Sequence, residues 1–322
     1  MANILRLRSA LNRSLRQFLD DRGVLEIQTP CVTFVDCEGS GETFCISDSA
    51  NFFGKEAHLN VSGQLYAELA ASSLGRVYSY GPVFRAEKHK TVRHLAEFPM
   101  LEVEISFLES VQQLMDFSED MIKSSLRSLF LARSSFDLEE ERCKGLVDSG
   151  PYLRMSYSEA LSNLHEAVTC LNHNFTHPIK KGMSLQLEHE RYLAENVAKG
   201  PVFIYDYPAP QKAFYMQSNS LPSNRAEWES TSVACFDLLL PHVAEIIGGS
   251  VREHRLEPLI RSMEFHSLDR TNYEWYLDLR RFGSVPHGGL GLGVDRLVQY
   301  LTRTSNIRDV VLVPRCAESS IC

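Results

Sequence analysis

Between Phe98 and Glu109 the chain reads FPMLEVEISFLE, in which apolar and polar residues alternate from Leu101 to Phe107. Only a strand sends successive side chains to opposite faces, so this period predicts a long, half-buried β-strand and therefore a sheet with one dry face. Shorter β signals precede it in GVLEIQTP, TFCI, HLNVS and RVYSYGPVFRAE, with the helical stretch QLYAELAASSLG among them. Others follow in PVFIYDYP, AFYMQSN, ACFDLLLP and AEIIGGSVRE, with a helix from about Glu257. Residues from about 110 to 200 are mostly helical in pattern and read as a helical insertion. Strands, a helical interlude, then strands again define an α+β chain whose mostly antiparallel sheet is flanked by helices. With 322 residues, 44% of them hydrophobic, it is long enough to bury one large core or two modest ones.

The longest apolar runs, such as Phe236 to Leu240, fall far short of the roughly 20 residues a membrane helix needs, so no membrane span is expected. Eight cysteines without short paired spacing read as free thiols. The one spacing of interest to a soft metal, Cys170, His173 and His177, lacks an obvious fourth ligand and reads as loop. The opening MANILRLRSALNRSLRQFL carries Arg6, Arg8, Arg13 and Arg16 and no acid, the composition of a targeting peptide. Yet Ile4, Leu7, Leu11, Leu15 and Phe18 recur at helical spacing and run straight into a strand ended by Pro30, which favours a folded amphipathic helix.

Against a net charge of −8, FRAEKHKTVRHLAEF gathers Arg85, Lys88, His89, Lys90, Arg93 and His94, interleaved with Glu87 and Glu97. If Arg85 lies on a strand and Arg93 and His94 on the returning side of a loop, several cations converge on one polyanion. A nucleoside triphosphate suits such a cluster, because guanidinium groups bind phosphate oxygens in pairs. Phe98 would stack on the base and Glu87 would accept from an adenine amine; on charge content alone, an exposed salt-bridged hairpin is the competing reading. GGLGLGVDRLVQY lacks the βαβ setting of a dinucleotide fingerprint and the GK[ST] of a P-loop. Its glycines permit close backbone approach, and Arg296 stands where it would reach a terminal phosphate. In FDLLLPHVAEIIGGSVREHR, Asp237 and Glu245 flank a proline turn, a pair suited to Mg²⁺ on phosphates.

Together these three segments resemble motif 2, the metal-binding strand and motif 3 of class II aminoacyl-tRNA synthetases, and LRQFLDDRGVLEIQTP resembles motif 1, the dimerisation element. Within the class, FRAE, RHLAEF, VSGQLY and IRDVVLVPR resemble the aspartate and asparagine subgroup. YEWYLDLRRFGSVPHGG and KAFYMQSN look most like the asparaginyl enzymes of organellar type. The resemblance implies a class II catalytic fold over residues 1–322, with asparagine, ATP and tRNA(Asn) as partners, Mg²⁺ as cofactor and a homodimeric assembly. It also implies a mitochondrial matrix location, with the cytoplasm as the alternative. Arg85 would bind the α-phosphate and the amino-acid carboxylate, Glu87 and Phe98 the adenine, and His94 and Arg296 the outer phosphates. Asp237 and Glu245 would carry the metal. Glu38, Ser62 and Gln64 would hold the ammonium end of the amino acid, with Glu68 and Arg252 on its side-chain amide.

The aspartate enzymes that this chain resembles carry a lysine just after the LY of VSGQLY; here Ala67 and Glu68 follow, which favours asparagine. Three features depart from the family pattern. The family places an anticodon-binding barrel before motif 1, where this sequence starts, so the barrel is expected to be missing; Val294 and Asp295 stand where Phe and Glu are usual before the motif 3 arginine, and Leu312 replaces a usual proline. Two other readings stand beside this one: a paralogue that makes asparagine from aspartyl adenylate and ammonia, which fits a missing barrel but not the absent lysine, and a catalytically silent tRNA-binding or regulatory module.

Overall fold

The computed structural model describes residues 1–39, 42–88, 91–131, 136 and 139–317. His89 and Lys90 of the basic stretch, Ser40 and Gly41 of the DCEGSGE loop, and Cys322 lie outside the described residues. The chain opens with helix α1 (Ala2–Asp20), which buries Leu7, Leu11, Leu15 and Phe18 along one face. Each fully buried leucine contributes about 1.5–3 kcal/mol, so this stretch is part of the core. Its arginines are used structurally: Arg8 pairs with Asp295 and donates to the Val310 carbonyl at 2.7 Å.

Strand β1 (Leu25–Ile27) follows, then a small sheet of β2 (Val32–Thr33) and β3 (His58–Leu59) with α2 (Ser49–Phe53) between them. TFCI forms no strand and makes only an isolated bridge from Cys45 to His58. Helix α3 (Gln64–Leu74) leads into β4 (Arg76–Phe84) and β5 (Glu97–Ser106), antiparallel from Arg76 opposite Ile105 to Phe84 opposite Glu97. The interlude contains α4 (Val111–Leu131), α5 (Glu140–Val147), β6 (Leu153–Ser156), α6 (Tyr157–Leu171) and α7 (Leu187–Tyr192), which runs on as a π-helical turn, Leu193–Val197. Then come β7 (Val202–Tyr205), α8 (Arg225–Ser230), β8 (Cys235–Leu240), β9 (Ala244–Val251), α9 (Leu256–Phe265), α10 (Glu274–Arg281), β10 (His287–Gly293) and α11 (Val294–Leu301). AFYMQSN contributes two isolated bridges, Met216 to Arg252 and Ser218 to Val233.

Eight strands form the main sheet in the order β1-β4-β5-β10-β9-β8-β7-β6. Only the outer pairs, β1 with β4 and β6 with β7, are parallel. This is the mostly antiparallel, helix-flanked architecture expected. The interlude divides in two: Leu114, Leu126, Cys143 and Leu146 of α4 and α5 join α1 and α11 in the main core, whereas β6, α6 and α7 share a second core with Trp228.

Along β5, Leu101, Val103 and Ile105 face the main core, and so do Leu290 and Leu292 of β10. Met100, Glu102 and Glu104 point the other way. This polar face is not solvated, as an ordinary half-buried strand's would be: Glu102 and Glu104 are 6% and 1% exposed. They form the floor of a cleft. Every described cysteine is a free thiol, and no described helix is long and apolar enough to cross a membrane.

Candidate active site

The cleft is a cavity of about 470 Å³ over the centre of the sheet, lined by Glu38, Ser62, Gln64, Arg85, Glu102, Glu104, Lys212, Asp237, Glu245 and Arg252 among others. A smaller compartment, about 80 Å³, opens beside it between Arg85, Glu87, Arg93, His94, Phe98, Glu245 and Arg296. Motif residues far apart in sequence meet here because β5 pairs with β10, and β10 with β9. Glycines keep the floor low. A side chain at Gly289 would collide with the Glu104 carboxylate and with the fixed Val103 carbonyl. Glycine therefore lets Glu104 lie across the neighbouring strand toward Arg252.

One end of the cleft is acidic and hydrogen-bonded. Glu102 accepts from Ser62 Oγ and from Gly63 N at 2.9 Å, and Ser62 Oγ in turn accepts from Gln64 N at 3.1 Å. Burial pushes the Glu102 carboxyl up, and these donors pull it back. Arg252 pairs with Glu104 through Nε, at 3.1 Å, and Nη2, while its Nη1 donates to Ser250 Oγ at 2.6 Å. Its guanidinium lies 5.1 Å from the Tyr215 ring centroid.

Glu68 is a correction to the sequence reading. Its carboxylate does not line the cavity; it lies behind Gln64, 2% exposed, with its oxygens already taken. It accepts from Gln64 Nε2 at 3.0 Å, Tyr276 Oη at 2.8 Å and Arg280 Nη2 at 2.8 Å, with His287 Nε2 at 2.9 Å. Burial opposes its ionisation, but Arg280, His287 and Arg252 outweigh it and hold the carboxyl well below the usual range. In this arrangement Glu68 positions Gln64, whose side chain lines the cavity.

The other end is cationic. Arg85 Nη2 pairs with Glu38 Oε1 at 2.6 Å and lies 5.6 Å from the Phe98 centroid. His94 Nε2 sits 3.3 Å from Glu87 Oε2 at the outer end of the smaller compartment. Arg296 Nη1 donates to the Glu245 carbonyl at 2.8 Å and to its carboxylate at 3.2 Å. Burial lowers the Arg296 pKa, and Arg93 and Arg85 add to that against the pull of Glu245. A bound polyanion would offset that disfavoured charge at Arg296.

Asp237 and Glu245 converge as expected. A methyl group at Gly248 would meet Glu245 Oε1 at 3.2 Å and Asp237 Oδ1 at 3.5 Å. Two carboxylates over a side-chain-free patch are an oxygen donor set that fits Mg²⁺. Lys212 Nζ balances the pair, 2.7 Å from Asp237 Oδ2. Burial raises the Asp237 carboxyl and Lys212 opposes it, while Glu245 is held low chiefly by Arg296 and Lys212 against its own burial. The Cys170, His173 and His177 spacing forms no metal group among the described residues. His173 packs on Phe175 and Tyr192, and His177 pairs with Glu188 at 2.7 Å.

Sequence reasoning passed over Glu102, Glu104 and Lys212 as site residues, and gave Arg93 no role beyond membership of the cation cluster. The alternation in β5 signalled the two glutamates, but period two says only that they share a face.

A mostly antiparallel sheet with an arginine-bearing strand and loop, a carboxylate pair and a glycine strand followed by a buried arginine defines a class of enzyme. Residues 1–317 match the family model described as tRNA synthetases class II (D, K and N), and the chain belongs to that family. Its relatives include the asparagine–tRNA ligases of Thermosynechococcus vestitus, 40% identical over 97% of this chain and 70% of that protein, and of Desulfotalea psychrophila, 40% identical over 99% and 71%. Among solved structures it is similar to asparaginyl-tRNA synthetase from Pyrococcus horikoshii complexed with asparaginyl-adenylate, with TM-score 0.88 and 33% identity, over 100% of this chain and 70% of that one. The Entamoeba histolytica asparaginyl-tRNA synthetase, also with asparaginyl-adenylate, gives TM-score 0.81 at 31% identity, over 99% and 68%.

Proposed function

We propose that this chain activates asparagine with ATP and passes the asparaginyl group to tRNA(Asn). The observation that carries the reading is the position of Arg85, which lines both compartments and so faces the junction of an amino acid and a nucleotide. The α-carboxylate of asparagine attacks the α-phosphorus of ATP as the bond to pyrophosphate breaks, and Arg85 offsets the charge gathering there. Glu87 and Phe98 hold the adenine, and His94, Arg93 and Arg296 face the outer phosphates. Glu38, Ser62 and Gln64 take the ammonium end. Asp237 and Glu245 would hold Mg²⁺, which would supply positive charge against that of the phosphates. No side chain is required as a covalent nucleophile, since positioning supplies much of the rate. A hydroxyl of the tRNA's terminal ribose then attacks the acyl carbon of the adenylate, the acyl–phosphate bond breaks and AMP leaves.

Charge balance supports asparagine over aspartate. Arg252 is already matched by Glu104, and Arg280 and His287 by Glu68. Among the described residues of this end of the cleft, each arginine already has a carboxylate partner, and a second carboxylate would face Glu102 and Glu104; a neutral amide meets both donors and acceptors. We also infer a homodimer through α1 and β1, a reading supported by the exposed Leu25 on the sheet's edge strand.

The test is amino-acid-dependent ATP–pyrophosphate exchange. Asparagine should support exchange well above aspartate, and Arg85→Ala should lower the rate by about 10²–10³-fold or more. Faster exchange with aspartate, or an unimpaired Arg85→Ala enzyme, would overturn the reading.

A further inference from the structure

The interlude meets the cationic compartment through a carboxylate that pairs with Arg93, one of the lining residues. Glu190, on α7, accepts from Arg93 Nη1 at 3.3 Å, and the two side chains are only 13% and 14% exposed. Arg93 Nε is buried and has no hydrogen-bond partner among the described residues. One edge of this guanidinium is thus held from behind while another buried donor stays unsatisfied in the wall of the compartment. Such a donor is costly unless a ligand oxygen meets it.

The short helix that carries Glu190 is itself fixed. His189 is 2% exposed; its Nδ1 accepts from Gln186 N at 3.1 Å and its Nε2 lies 3.3 Å from the His177 carbonyl. A π-helical turn follows directly, at Leu193–Val197. Without Glu190, Arg93 would face Arg85 and Arg296 with nothing behind it, and like-charge repulsion would turn a long flexible side chain out of the compartment.

We propose that Glu190 is a positioning residue for the nucleotide: it holds Arg93 toward the outer phosphates and so makes the helical interlude part of the ATP clamp. This rests on the ATP reading above. Burial drives the Glu190 carboxyl upward, against the pull of Arg93, so the pair is supported by its partner's charge and not by solvent.

The experiment uses the full chain, with asparagine-dependent exchange and calorimetric titration with a non-hydrolysable ATP analogue and Mg²⁺. Glu190→Gln should raise KM for ATP and Kd for the analogue about 5–10-fold, with KM for asparagine changed less than twofold, and Glu190→Asp should recover part of the loss. In an Arg93→Ala background, Glu190→Gln should add less than twofold. Equal effects on both substrates, a full additional loss in the double variant, or no effect of Glu190→Gln would overturn the proposal. If Glu190→Gln does not fold, Glu190→Asp carries the same test. A wild-type chain that binds the analogue but shows no exchange overturns the proposed activity, and Glu190 is then judged by the analogue's Kd alone.

Discussion

At the scale of single residues, the cleft works by pairing each buried charge before a ligand arrives. Glu68 shows the energetics. Removing one member of a buried ionic set leaves the others uncompensated, at a cost of about 3–5 kcal/mol. Glu68→Gln should therefore lower unfolding free energy by about that amount at pH 7, read from urea denaturation. The pH dependence has a definite sign. The folded carboxyl is depressed below its ordinary 4.5, so its contribution is complete above that value and is lost as pH falls through the folded pKa. The difference between wild type and Glu68→Gln should shrink steadily below about pH 4.5; a difference that grows on acidification would contradict the pairing. The same variant should raise KM for asparagine, because Gln64 loses the acceptor that fixes it.

At the scale of elements, β10 is a strand selected for absent side chains. Its leucines, Leu290 and Leu292, serve the core face, and Gly289 and Gly291 leave the cleft face bare. Gly289→Ala should displace Glu104 and with it Arg252, because the competing Val103 carbonyl is backbone and cannot swing aside. We expect a loss of about 1–3 kcal/mol in stability and a rise of about tenfold or more in KM for asparagine, with KM for ATP nearly unchanged since Arg296 is held separately by Glu245. An equal rise in both constants would show that the strand had moved as a whole. The sequence made these glycines conspicuous but not their direction. A glycine run is weak evidence for any one fold until the partner strand is known, and here the partner is β5, far away in the chain.

At the scale of the whole molecule, the central fact is a sheet whose two faces do different work: one packs on α1, α4 and α11, the other is the floor of the cleft. The edge strand β1 and helix α1 stand at one side of that sheet. Sedimentation equilibrium should give twice the 36.5 kDa chain mass, and a monomer at micromolar concentration would remove the proposed assembly. The interlude looked like an addition in sequence because it carries few motif-like residues. In space its first half is core and its second half delivers Glu190, since packing against a sheet needs only an apolar stripe, which any amphipathic helix supplies.

The sequence by itself determined the α+β class, the periodic strands and helices, and the motifs that carry Arg85, Arg296, Asp237 and Glu245, because period and motif order are local properties written along the chain. Only the tertiary structure decided that the polar face of β5 is buried, that Glu68 stands behind Gln64 and not in the cavity, and that Arg93 is held from α7. Those are properties of which strand or helix lies across from which. Whether a glutamate meets water, a ligand or an arginine depends on neighbours brought from distant positions, and a linear pattern does not contain that distance.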